Sequence, residues 1–112
     1  MNKKYILLIL FCFTKIIFSQ NIDSLKQQLN VLPDGEEKAY TYLALVKNYN
    51  LMQLEEVLNY GERGIEFSKK FNLTKAEGKI NLDVGNACQY YEQLSKAKSY
   101  YQRAIFLSNS ID

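Results

Sequence analysis

The chain has 112 residues, of which 47% are hydrophobic and 23% charged, so it is long enough for one small domain with a core. Three of its 14 basic residues lie within residues 1–19, a segment without acidic residues, and the remainder holds 11 basic and 12 acidic residues. The formal charge of +2 therefore belongs to the leading segment and does not indicate a nucleic-acid partner.

The leading segment, residues 1–19, has the layout of a secretory signal peptide. A positive start at residues 2–4 precedes an apolar run at residues 5–13, and the small residue Ser19 precedes Gln20. We predict cleavage after Ser19 and export to a periplasmic or other extracytoplasmic compartment.

The alternative reading of the leader is an uncleaved membrane anchor through residues 5–18. Its apolar run stops at Thr14 and Lys15, short of the roughly 20 residues that a spanning helix needs. If the leader is removed, Cys88 is the one remaining cysteine, so the mature chain has no partner for an internal disulfide. We expect Cys88 to be a small buried side chain.

Beyond the leader, the apolar spacing predicts helices and no run of alternating residues suggests a strand. Residues 20–35 form a short capping helix, with Asp23 as the predicted N-cap, and a turn at Pro33-Asp34-Gly35. Four longer helices follow, separated by breaks near Gln53, at Asn72-Leu73 and after Tyr91. Thr74 and Glu77 fit a capping box at the start of the helix that follows the second break.

Shifting the sequence by forty residues superimposes its second half on its first half. Identical pairs then include Leu54 and Leu94, Tyr60 and Tyr100, Arg63 and Arg103, Ile65 and Ile105, and Ser68 and Ser108. Each unit is therefore predicted to be a helix, a short turn and a second helix, covering residues 36–73 and 74–112. Such a unit cannot bury its apolar face alone and stacks on its neighbour.

The second unit resembles a tetratricopeptide repeat. Ala97, Tyr101 and Ala104 supply the small-aromatic-small pattern of that family's second helix, and Val84-Gly85 supplies the apolar-glycine pair of its first. The forty-residue period is similar to that of the family's long-helix subclass. The resemblance implies an all-α fold in which antiparallel helix-turn-helix repeats stack as a short α-solenoid.

The resemblance also implies two sets of site residues. Tetratricopeptide repeats bind peptides or partner domains in a concave groove lined by their first helices. Transferred by position, the groove-facing residues are Tyr42, Val46, Tyr49, Lys79, Leu82, Asn86, Gln89 and Tyr90. The residues that pack the repeats together are Val57, Gly61, Gly64, Gly85, Ala97, Tyr101 and Ala104. For each groove residue, the alternative is a solvated helix face without a partner.

The sequence provides little for catalysis. Histidine is absent from the whole sequence, and the five glycines form no phosphate-binding loop. The adjacent acids Glu36-Glu37 and Glu55-Glu56 lie near predicted helix starts, where carboxylates favour the positive end of the helix dipole. We therefore predict no catalytic residue, no metal and no cofactor.

Two functional hypotheses follow. The first is a non-enzymatic, exported helical-repeat adaptor that binds a protein or peptide. The second is the extracytoplasmic sensory part of a larger bacterial signalling protein, such as a sensor kinase or a membrane-tethered helix-turn-helix regulator. Contact with a membrane depends on an uncleaved leader or on a longer chain, and a homodimer through the open end of the second repeat is a further alternative.

Overall fold

The computed structural model describes residues 21–50 and 52–111, and the predicted signal peptide or anchor lies outside these residues. Within the described ranges the fold is all-helical, which confirms the predicted class, and no strand occurs in them. The helices are α1 (Ile22–Val31), α2 (Glu36–Tyr49), α3 (Leu54–Lys70), α4 (Thr74–Tyr90) and α5 (Leu94–Ser110).

The start of α1 differs from the prediction by two residues. Asn21 is the N-cap, and its side-chain oxygen accepts the backbone N–H of Ser24 at 2.8 Å. Asp23 was the wrong choice because the side chain of Asn21 already satisfies an exposed amide of the first turn. Asp23 instead lies within that turn, where its negative charge favours the positive end of the helix dipole.

The predicted capping box at the start of α4 is wrong. Leu73 is the N-cap and makes no side-chain capping bond, and Thr74 is already the first helical residue. The carboxylate of Glu77 is buried and accepts a hydrogen bond from Arg103 of α5. Glu77 therefore joins two helices and does not reach back to the helix start.

The turns that end α3 and α4 have the same backbone geometry. One residue in each turn is left-handed: Asn72 with φ 57° and Glu92 with φ 61°. The next amide in each turn donates to a carbonyl five residues back, the pattern that satisfies the last carbonyls of a helix. These bonds are Leu73 N–H to the Ser68 carbonyl and Gln93 N–H to the Cys88 carbonyl, each at 2.8 Å.

Among the described helices, each packs against the next, and α4 packs against both α2 and α3. The core lies where these three helices meet, and the leucines of α1 extend it over α2. Its largest fully buried side chains are Leu25, Leu45, Val46, Val57, Ile80, Val84 and Cys88. Cys88 is thus a small core side chain, as its position in the sequence indicated.

Glycines allow α3 to approach its neighbours closely. A Cβ added to Gly64 would lie 2.7 Å from Cβ of Tyr42, and one added to Gly61 would overlap Cγ2 of Val84. Real Cβ atoms avoid such distances, so these positions cannot carry a side chain unless the neighbouring residues shift.

In the second unit the close approach involves a glycine of the first helix, Gly85. A Cβ on Gly85 would lie 2.9 Å from the Tyr101 ring, so Gly85 is where α5 approaches α4. Val57 and Ala97 are buried at equivalent positions of the two units, whereas Tyr101 and Ala104 are only partly buried.

Candidate protein-binding site

Three of the residues predicted to face the groove lie in the core. Val46 is fully buried, and Tyr42 and Tyr49 retain 8% and 6% of their exposure. Tyr49 stacks on Tyr60 with ring centroids 5.8 Å apart, and the Lys26 ammonium of α1 lies 5.9 Å from the Tyr49 centroid. These residues are unsuited to binding a partner because α1, α3 and α4 cover this side of α2.

The five predicted residues of the second unit form an exposed stripe on α4. Lys79, Leu82, Asn86, Gln89 and Tyr90 follow one another at helical spacing, and all five are exposed. Leu82 and Tyr90 are 47% and 62% exposed, which is high for large apolar side chains. The structure therefore brings these five side chains together and separates them from the three of α2.

A groove between α4 and α5 adjoins this stripe. It contains two depressions with volumes of about 260 and 350 Å³. Of their apolar lining, Leu82 was predicted to face the groove and Ala97, Tyr101 and Ala104 to pack the repeats, whereas Gly78, Leu94, Ile105, Leu107 and Ile111 had no predicted role at a site. The first depression is lined by the apolar or small residues Gly78, Leu82, Ala104, Leu107 and Ile111 and by the polar residues Thr74, Lys75, Lys79 and Ser108. The second is lined by Leu94, Ala97, Tyr101 and Ile105 and by the polar residues Gln89, Lys98 and Gln102.

A polar cluster joins α4 to α5 at the second depression. The Tyr101 hydroxyl is 2.7 Å from the side-chain oxygens of both Asn86 and Gln89. Because a phenol has one proton, only one amide oxygen accepts it at a time, and the other is left for an external donor. Tyr101, predicted only to pack the repeats, thus also orients two of the predicted groove residues.

The groove is basic. Lys75, Lys79 and Lys98 are exposed at its edges, and none of the described residues that line it is acidic. Lys79 also lies over the Tyr40 ring, with its ammonium 5.4 Å from the ring centroid. The nearby carboxylate of Glu77 is buried and bound to Arg103, so it does not neutralise these lysines at the surface. A groove of this kind favours a ligand that is partly apolar and partly negative.

The perturbed titratable groups of the described helices have structural causes. Burial raises the pKa of Asp83, although Lys47 lies 3.8 Å away and opposes the shift. Burial likewise raises the pKa of the Cys88 thiol, which keeps the sulfur protonated and unreactive. Burial and the hydrogen bond to Glu62 raise the pKa of Tyr100. Each of these shifts arises where the helices pack against one another.

No protein-family model, curated protein or solved structure matches the chain. Within the part of the chain that the structure describes, no helix has both the length and the apolar character needed to cross a membrane. The same residues contain no group of three or more Cys, Asp or Glu side chains arranged to hold a metal ion.

Proposed function

We propose that this protein is a non-enzymatic protein–protein interaction module, an exported helical-repeat adaptor of the tetratricopeptide type. Its ligand is a peptide or a partner domain, bound along the exposed face of α4. The observation that carries this proposal is the stripe from Lys79 to Tyr90, which is exposed, apolar at two positions and polar at the others.

The packing pattern supports the assignment to stacked repeats. The first helices of the two units, α2 and α4, contact each other, whereas no such backbone contact joins α3 and α5 among the described helices. Repeats that stack in register bring equivalent helices together on one side and leave the other side more open. The identical turns after α3 and α4 further support a repeated unit.

The composition of the stripe supports protein binding. Tyr90 and Leu82 provide apolar contact area, and Asn86 and Gln89 provide amides that both donate and accept hydrogen bonds. Contiguous exposed apolar area rimmed by polar groups is typical of surfaces that bind other proteins.

Site-specific photo-cross-linking in the native cells tests the proposal. A benzophenone amino acid at Leu82 or Tyr90 is expected to form a discrete adduct with another protein on irradiation. The same probe at Asn59, exposed on α3, serves as the matched control. The proposal fails if all three positions give the same adducts, or if the adduct from Tyr90 persists unchanged when Leu82 is replaced by Glu.

The proposed export is tested by the intact mass of the protein isolated from its own cells. A mass beginning at Gln20 supports cleavage after Ser19 and an extracytoplasmic adaptor. A mass that includes residues 1–19 would contradict cleavage and favour the anchor.

A further inference from the structure

Equivalent positions of the two units differ sharply in exposure. Ile65 in α3 and Ile105 in α5 are identical under the forty-residue shift, yet Ile65 is 4% exposed and Ile105 is 61% exposed. The same contrast holds for Tyr42 and its equivalent Leu82. In the first unit α4 lies against both α2 and α3, whereas among the described helices none covers α4 and α5 in this way. The open α4–α5 groove is therefore the equivalent of the groove between α2 and α3, which α4 occupies.

The covered groove shows what kind of helix the open groove accepts. In the first unit, Ile80 of α4 lies over Gly64, and Val84, one turn later, lies over Gly61. The equivalents of these glycines in the open groove are Ala104 and Tyr101. Tyr101 lines the open groove and has a ring where Gly61 has no side chain to obstruct Val84, so we expect a bound helix to carry a small residue there. Over Ala104 there is still space for a large aliphatic side chain.

The charges of the groove select among occupants. Lys75, Lys79 and Lys98 lie at its edges, so acidic residues beside the apolar face of a bound helix would be attracted. A second copy of the chain docked through the same face would instead bring two lysine-bearing grooves without acidic lining residues together, and this like charge disfavours a symmetric dimer.

We propose that the α4–α5 groove binds an amphipathic helix of a partner protein. The helix carries a large aliphatic residue, a small residue four positions later, and acidic residues beside this face. This inference rests on the proposed function, because it names the partner's chemistry. Since α4 and α5 each have 17 residues, the groove accommodates a helix of about five turns, or about 25 Å.

Synthetic peptides test the inference with the purified protein. The probe is a fluorescent 17-residue helical peptide with Leu and, four positions later, Ala on its apolar face and Glu at the flanking positions. One control has Lys in place of Glu, and a second exchanges the Leu and Ala. In fluorescence anisotropy at low salt the probe is expected to bind at least about 10-fold more tightly than either control. Its advantage over the Lys peptide should shrink as salt rises.

Protein variants locate the bound peptide. Ile105→Asp is expected to abolish binding of the probe, and Lys75→Gln with Lys98→Gln should remove most of its advantage over the Lys peptide. Asn59→Asp, on the exposed face of α3, should leave binding unchanged. Circular dichroism of each variant shows that a lost signal reflects the groove and not unfolding.

Three results would overturn the inference. The first is equal affinity of the Glu and Lys peptides, and the second is no binding of either. The third is self-association in sedimentation equilibrium that Ile105→Asp abolishes, which would make a second copy the occupant. If the Tyr90 cross-link to another protein is still seen alongside any of these results, the proposed adaptor function stands and only the partner chemistry inferred here is wrong. If the purified protein binds the Glu peptide but no cross-link forms in cells, the proposed adaptor function fails, while the preference of the groove for an acidic helix stands.

Discussion

The guanidinium Nε of Arg103 lies 2.9 Å from Oε2 of Glu77, which joins the last described helix to the first turn of α4. Glu77 is 4% exposed, so its carboxylate depends on this partner for the hydrogen bonding that water would otherwise provide. The backbone carbonyl of Glu77 also accepts the side-chain N–H of Asn81 at 2.9 Å, a buried bond within α4.

Arg103→Leu is expected to destabilise the fold by about 1–3 kcal/mol, because it leaves the Glu77 carboxylate buried without its charged partner. Chemical denaturation measures the change in the free energy of unfolding. The matched control is Arg63→Leu at the equivalent position of the first unit. Arg63 lies over the Tyr42 and Tyr60 rings, and its loss should cost about 0.5–1 kcal/mol. Equal losses for the two variants would contradict the role given to Glu77.

Gly64→Ala is expected to destabilise the fold by about 1–2 kcal/mol, although alanine is the better helix former. The added methyl would lie 2.7 Å from Cβ of Tyr42, an atom too close to the backbone to move freely. Gly78→Ala is the control, since its Cβ would lie at an ordinary 3.6 Å from Cβ of Leu107. Thermal melts should show Gly78→Ala stabilised by about 0.5–1 kcal/mol. A stabilising Gly64→Ala would mean that α2 and α3 are not in close contact there.

Glu92→Gly is expected to stabilise the protein by about 0.5–1 kcal/mol. Glu92 has a left-handed backbone conformation, which costs free energy for a residue with a Cβ but not for glycine. Asn72 has the same conformation in the equivalent turn, and asparagine tolerates it well. Asn72→Gly should therefore change the free energy of unfolding by less than Glu92→Gly does, as measured by urea titration. The reverse order would show that contacts of the two side chains outweigh backbone strain.

Asp83→Asn is expected to stabilise the protein at neutral pH. Burial raises the pKa of Asp83, and its Oδ2 is buried without a hydrogen-bond partner. An aspartate with a raised pKa binds its proton more tightly in the folded state, so it favours folding at low pH. This contribution is lost as the pH rises from the ordinary aspartate value through the raised one. Melting temperatures across acidic and neutral pH should therefore show the variant's advantage only above that window.

Lys47→Gln provides the opposite change at the same site. The Lys47 ammonium lies 3.8 Å from Oδ2 of Asp83 and offsets part of the cost of burying the charge. Its removal should destabilise the protein at neutral pH and have little effect once Asp83 is protonated. If both variants shift the melting temperature equally at all pH values, the charge of Asp83 is not the cause.

Much of the fold was predictable from local pattern. The spacing of apolar residues gave the helices, and the breaks near Gln53 and at Asn72-Leu73 fall between observed helices. The first residue of each helix was less predictable, since Asn21 and Asp23 are both good caps and only the backbone path selects one. Glu77 matched a local capping pattern, but a contact with a residue 26 positions away determined its role.

The candidate site was predictable only in part. Sequence periodicity identifies one face of α2 or α4, but the exposure of that face depends on which other helices lie over it. Val46 and its equivalent Asn86 therefore received the same assignment, although the first is buried and the second exposed. The polarity of Asn86 against Val46 is the one signal in the sequence that could have separated them. Ile65 and Ile105 are identical and carry no such signal.

The order in which the helices touch has a consequence for how the molecule opens. Among the described helices, α1 packs on α2 alone and α5 on α4 alone, whereas α2 and α4 each have three neighbours. Separating an end helix thus breaks one backbone interface, so local opening costs least free energy at the ends and most in the middle. A helix seated along α4 and α5 would give α5 a second neighbour. Binding of such a helix would then slow the exchange of the α5 amide hydrogens, because α5 would join the cooperatively folded region.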